Sequence, residues 1–182
     1  METNVTVSRT RIVLMWGAII GIVLYGLSFI DRAFEGSTAW SVVSFILKTL
    51  LFLGCMGMAV KQWRDKGLGG YISYGRAFGQ ALLTGLFATL LLTVITLVAL
   101  QFVGEDYKKE LETKKLEEIA KLEDQGADES AIEWTEKIFD WLVDPKVIAG
   151  LILVTFTIAS AIMALIVAAI YKKDDPNNFG MA

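Results

Sequence analysis

The sequence has no histidine and a single cysteine, Cys55. The first absence removes histidine-based metal sites, Ser-His triads and histidine proton relays together. The second leaves no partner for an intrachain disulfide. Charge is also missing over long stretches. Residues 12–30, 77–104 and 147–171 carry none, and residues 39–60 carry only Lys48. No Asp or Glu falls inside these runs, so an intramembrane carboxylate dyad is excluded and no carboxylate within a run can neutralise Lys48.

What remains is a chain of 182 residues, 54% apolar, with mean hydropathy +0.53. A soluble fold would scatter its apolar residues in short periodic segments, whereas here they lie in four blocks. About 20 apolar residues are needed for a helix to cross a hydrocarbon core, and backbone groups in lipid must be paired within the segment. The blocks lack the alternation of a membrane barrel strand. The expected fold is therefore all-α: a single membrane domain over 1–182 with spans at about 12–30, 39–60, 77–104 and 147–171 and a charged helical loop over 105–146. The first run follows Arg9 and Arg11, as a signal peptide would, but its 19 residues exceed the usual apolar region of about 7–15. Asp31, Arg32 and Glu35 also separate it from the small residues Ser37-Thr38-Ala39. It reads as a retained span.

Lys and Arg accumulate in cytoplasmic flanks. Arg9, Arg11, Lys61, Arg64, Lys66, Arg76, Lys172 and Lys173 fall on one side of a four-span chain. The third connection has seven basic and fourteen acidic residues, a net of −7. The expected orientation puts both termini in the cytoplasm of a bacterial inner membrane and the third connection outside.

The second connection, WRDKGLGGYISYGRAFGQALLTG, is glycine-rich enough to suggest a phosphate loop. Such a loop reads G-x-x-x-x-G-K-[ST]. Here Arg76 and Ala77 stand at the lysine and hydroxyl positions, and no strand pattern precedes them. A dinucleotide fingerprint fails at Ile72, which occupies its third glycine position. A wet turn explains the stretch better. Gly67, Gly69 and Gly70 allow positive φ, Ser73 can cap the next helix, and Tyr71 and Tyr74 suit the headgroup zone.

The run KQWRDKGLGGYISYGRAFGQALLTGLFATLLLTVITL resembles the bacterial membrane family catalogued as domain of unknown function 4199. Members show a basic RDK-like turn, a glycine, then ISYGRA-like residues entering a long span. GADESAIEWTEKIFDWLVDPKVIAG is similar to the family's polar segment before the last span. The resemblance extends from the first span to Pro176 and is most specific over Arg64–Phe87. It implies a four-span protein of the Bacteroidetes group and brings no activity, substrate or catalytic residue. One departure stands out: relatives often carry Asp-Pro near the exit of the third span. Here that point reads Val103-Gly104-Glu105-Asp106, and Asp144-Pro145 precedes the fourth.

Within the third connection, Glu110–Lys114 and Glu117–Lys121 are i,i+4 pairs in the favourable order. Tyr107, Leu111, Ile119 and Leu122 share a face. Gly126 breaks the helix, Asp128 or Ser130 can cap a second, and Pro145 ends it. Ile132, Phe139 and Leu142, with Trp134 and Trp141 toward the rim, form its apolar side. The fourteen acids lack the ligand spacing and central glycine of a calcium loop.

Lys48 is the charged residue within a span, and such a charge costs about 2.5–3.5 kcal/mol on insertion scales. It either snorkels outward or holds an anionic lipid or substrate group. Arg64, Lys66 and Arg76 are candidates for a lipid headgroup beside a helix start. Ser44 and Lys48 share a helical face, but an enzyme would also need an oxyanion site, and none is visible. Small and hydroxyl residues mark packing faces: Gly17 and Gly21 in the first span, Gly85, Thr89, Thr93 and Thr96 in the third, and Ser160, Ala164 and Ala168 in the fourth. Gly17 and Gly21 serve either an intramolecular contact or a homodimer. The leading expectation is a non-enzymatic accessory or scaffold subunit. The alternative is a small carrier or lipid-binding protein using Lys48, although the inverted repeats of many carriers are not apparent. The expected partners are membrane lipid, another membrane or periplasmic protein, or a second copy of the chain. Neither nucleic acid nor any cofactor is expected.

Overall fold

The structure, a computed structural model, describes residues 8–34 and 36–175. Glu35 and Pro176 of the sequence reading lie outside the described residues. The described chain forms α1 (Arg9–Ala33), α2 (Thr38–Gly67), α3 (Tyr74–Asp124), α4 (Glu129–Leu142) and α5 (Pro145–Tyr171). Of these, α1, α2, α3 and α5 are long and apolar enough to cross a membrane. The protein is an all-α polytopic membrane protein. Its outward-facing residues fit that solvent. Phe45 is 72% exposed and Leu50 62%, and Val154, Ile158, Ile162 and Ile170 lie exposed along α5. In water such a surface would be an aggregation site. In hydrocarbon it costs nothing.

The single domain expected from sequence divides into two compact units, Met1–Leu92 with Val154–Ala182, and Thr93–Leu153. The division falls inside α3 and α5.

The first unit is built by close approach of small residues. A β-carbon at Gly17 would stand 2.7 Å from Phe87 Cδ1 and 3.0 Å from the Thr84 carbonyl oxygen. One at Gly21 would stand 3.1 Å from the Ala88 carbonyl oxygen. The two glycines are therefore taken up by an intramolecular contact of α1 with α3. Gly85 abuts Ser160 on α5, where an added β-carbon would lie 2.7 Å from Oγ and 2.8 Å from Cβ. Gly57 receives the ring of Tyr171. Ile20, Met56, Val60, Ala81, Ala88, Ala164 and Ala168 fill the core between these contacts. Thr84 and Thr89 are buried and bond back to the carbonyls of Gln80 and Gly85 at 2.9 Å each, so their hydroxyls are satisfied within α3.

The end of this unit that carries the basic residues is cross-tied. Arg9 donates to Gln80 Oε1 at 3.0 Å and lies over the Trp63 ring. Trp16 Nε1 donates to Gln62 Oε1 at 2.7 Å. Past Tyr171 the chain pairs with the α2–α3 turn, with Ile72 and Lys173 exchanging N–H···O bonds of 2.9 Å. Gly69 and Gly70 hold the positive φ that this turn needs. Gly67 does not; it closes α2 under the Trp63 indole.

In the second unit α3 runs on to Asp124 without a break at Gly104, so the expected first arm of the loop is a continuation of the span. The chain reverses at Gly126, φ +70°. Asp128, not Ser130, caps α4 by accepting the Ala131 N–H at 3.0 Å. α4 ends at Leu142, and Pro145 opens α5 instead of closing α4, a position where its missing N–H costs no helical bond. Lys115 donates to Asp140 at 2.9 Å, tying α3 to α4. Glu110–Lys114 forms as expected, but Lys121 turns to Glu118 rather than Glu117.

Candidate functional site

Asp31 organises the connection between α1 and α2. The charge-free run ends at Ile30, but the helix continues to Ala33, so Asp31 projects from the last turn of α1 and meets α2 sideways. Its Oδ1 accepts the Ser44 hydroxyl at 2.5 Å and the Trp40 indole N–H at 3.2 Å. Its Oδ2 pairs with the Lys48 ammonium. The expectation that no span carboxylate can neutralise Lys48 therefore needs correction. The acid lies one residue beyond the run, on the turn of α1 that continues past it. Trp40, Ser44 and Lys48 follow i, i+4, i+8 spacing, which sets them on one α2 face toward Asp31.

Lys48 lies about 15 Å along α2 from Thr38, at 1.5 Å per residue. Its side chain is one-third exposed and that of Asp31 slightly less, at 33% and 30%. Its ammonium is thus paired with a carboxylate at the α1–α2 connection. Ser44 is buried, and its hydroxyl hydrogen is committed to Asp31. A Ser44–Lys48 nucleophile and base would need that proton directed at Lys48 instead.

Beneath Lys48 a cleft of about 200 Å³ runs between α1, α2 and α5, walled by Leu24, Phe45, Phe52, Phe156 and Met163. The other basic candidates stand elsewhere. Arg64 is 16 residues along α2 from Lys48, roughly 24 Å. Its Nε donates to Asp65 at 2.8 Å and its Nη1 to the Tyr171 carbonyl at 3.3 Å. A cation at the last carbonyl of α5 is well placed against the helix dipole, which gives Arg64 a structural task. Lys66 is exposed. Arg76, also exposed, lines a shallow cleft with Lys173, Asp174 and Asp175, so positive and negative groups alternate there. No single cleft is lined by all three residues, and none of them lines the cleft at Lys48.

Residues 12–173 match the family described as a protein of unknown function, DUF4199. The chain belongs to the DUF4199 family. No curated protein and no solved structure matches it. The match takes in both the Asp31–Lys48 pair and the Ile72–Lys173 bridge. Sequence reasoning missed several residues that hold this DUF4199 chain together. Asp31 could have been found as the first acid on a helix allowed to run past its apolar block. Gln80, fully buried with its Nε2 unpartnered, and Gly57 under Tyr171 carried no signal of their own.

Proposed function

We propose that this DUF4199 protein is a non-enzymatic accessory or scaffold subunit of a bacterial inner membrane, with both termini in the cytoplasm and the 105–146 connection outside. The observation that carries the reading lies on α4. No residue of this helix is buried. Trp134, Ile138 and Trp141 are 61%, 48% and 60% exposed. They fall at i, i+4 and i+7, within about 60° of one another on the helix. The half-buried Ile132, Phe139 and Leu142 take a different stripe. A helix with one apolar stripe turned inward and a second, tryptophan-rich one left open supports recognition of another protein, since Trp is enriched where interfaces bind hardest. A groove of about 760 Å³ in the same unit adds Phe102, Tyr107 and Ile148 beside the acids Asp106, Asp140 and Asp144.

A photo-crosslinking residue in place of Trp134 or Trp141, in native membranes, tests this reading. A discrete protein adduct is expected from both positions and not from exposed Lys121 on α3. Equal, diffuse labelling from all three would end the scaffold reading. The orientation is tested separately in a Cys55→Ser background. Gln125→Cys should react with an impermeant thiol reagent in intact cells, and Lys66→Cys only after lysis. The eight basic residues on one side support that outcome.

A further inference from the structure

We propose that the cleft beneath Lys48 holds one acyl chain of a membrane glycerolipid, with the Lys48 ammonium donating to an ester or phosphate oxygen of the same molecule. The inference rests on the membrane-spanning character of α1, α2 and α5 and is independent of the scaffold reading.

Three observations meet there. The walls are apolar: Leu24 from α1, Phe45 and Phe52 from α2, and Phe156, Ala159 and Met163 from α5. Two threonines also line the cleft: Thr49 spends its hydroxyl on the Phe45 carbonyl at 2.8 Å, and Thr155 on α5 is exposed. A mainly apolar void favours an apolar occupant over water. Because all three walls are membrane-spanning helices, what fills it comes from the bilayer. The cleft is continuous with the lipid-facing surface, where Phe45 belongs to both.

The mouth supplies the second half of an amphiphile site. Lysine has three N–H donors and no acceptor. One donor of Lys48 goes to Asp31 Oδ2, while Oδ1 is occupied by Ser44 and Trp40. The carboxylate is thus satisfied by the protein, and Lys48 keeps donors for an outside oxygen. The ion pair is neutral as a whole, so the acceptor need not carry a full charge. Height decides which oxygens are in reach. The ammonium is drawn toward the end of α1, and an apolar chain descends from it past Phe52 to Met163. A glycerolipid presents its ester and phosphate oxygens immediately above its acyl chains, matching that order.

The test uses the full chain in liposomes of dioleoyl phosphatidylglycerol doped with a diacyl phospholipid carrying a diazirine in one acyl chain. Cross-links are mapped by mass spectrometry. Labelling should concentrate on Phe52, Phe156 and Met163 over the equally apolar Ile158 and Ile162 of α5. Ala159→Phe fills the cleft and should lower that labelling roughly tenfold, the factor equivalent to about 1.4 kcal/mol. Should that variant fail to fold, Lys48→Gln provides the second measurement: lipid retained through detergent purification should fall several-fold while the helix content stays. Even labelling across all exposed α5 residues in the parent would overturn the site. So would retention unchanged in Lys48→Gln. A diazirine-bearing diacylglycerol distinguishes the acceptors. Labelling equal to that of the phospholipid assigns Lys48 to the ester, and a preference for the phospholipid assigns it to the phosphate.

Discussion

The two units of this chain are held by different means. In the first, glycine and alanine let backbones meet, and Ile12, Ile20, Met56, Val60 and Val167 are almost fully buried. In the second, among the described residues, Leu111 is the buried hydrophobic side chain, and what holds the helices is local: i,i+3 and i,i+4 ion pairs, a cap at Asp128 and the Lys115–Asp140 tether. Helix association in lipid lacks a hydrophobic drive and depends on van der Waals fit. A helical hairpin in water can instead rely on propensity and solvated pairs, each worth only tenths of a kcal/mol. The first unit should therefore punish changes of shape, and the second should tolerate them.

The largest effect should come from Gly85→Val. The atoms it meets include Ser160 Cβ, which cannot swing aside, so overpacking of about 1–3 kcal/mol or more is expected, read as a lower midpoint in denaturant titration of the detergent-solubilised protein. A neutral Gly85→Val would break the comparison. Next is Asp31→Leu, which strands the Lys48 ammonium and the Ser44 and Trp40 donors. A loss of about 1–3 kcal/mol is expected, as for hydrogen bonds to charged groups. The double variant Asp31→Leu/Lys48→Leu should return most of it, because removing both partners leaves no uncompensated charge. Failure of the second change to rescue would show that Ser44 and Trp40, not Lys48, dominate the cluster.

Smaller, and opposite in sign, is Gly104→Ala in the second unit. No atom lies within 4 Å of the new β-carbon and the residue is helical, so a gain of about 0.5–1 kcal/mol is expected in the same titration. Smallest is Lys115→Gln. This amine is held above its ordinary value by its bond to Asp140, so the tether holds across neutral pH and fades as the pH rises through the lysine range. Amide exchange in α4, corrected for intrinsic rates, should be flat across neutral pH. It should rise by about two-fold or less in the variant, as befits an exposed pair.

Much of the fold was legible because hydrocarbon imposes length and uniform apolarity on whatever crosses it, and those are linear properties of a sequence. The four spans, the break at Gly126 and the packing glycines follow from them. Helix ends were less legible. Composition marks where apolar residues stop, not where hydrogen bonding stops, so α1 outran Ile30 and α3 passed Gly104 unbroken. That error hid the candidate site: Lys48 looked solitary because its partner stood one residue outside the block. The Arg64 bond to the Tyr171 carbonyl was not legible either, since a backbone acceptor 107 residues away leaves no trace in side-chain spelling.

That last bond has a consequence for assembly in the cell. The contacts of Gly17 and Gly21 with α3 need only the first 91 residues, so they are available while synthesis is under way. Arg64 to Tyr171 and Ile72 to Lys173 need a segment made some hundred residues later. A ribosome halted before α5 would leave a three-span intermediate with Gly57 and Gly85 bare and the Arg64 guanidinium without its carbonyl. Such a chain presents an unfilled groove and a loose charge, the kind of defect that membrane proteolysis removes. The clasp between the turn and the end of α5 therefore closes only after α5 has been made.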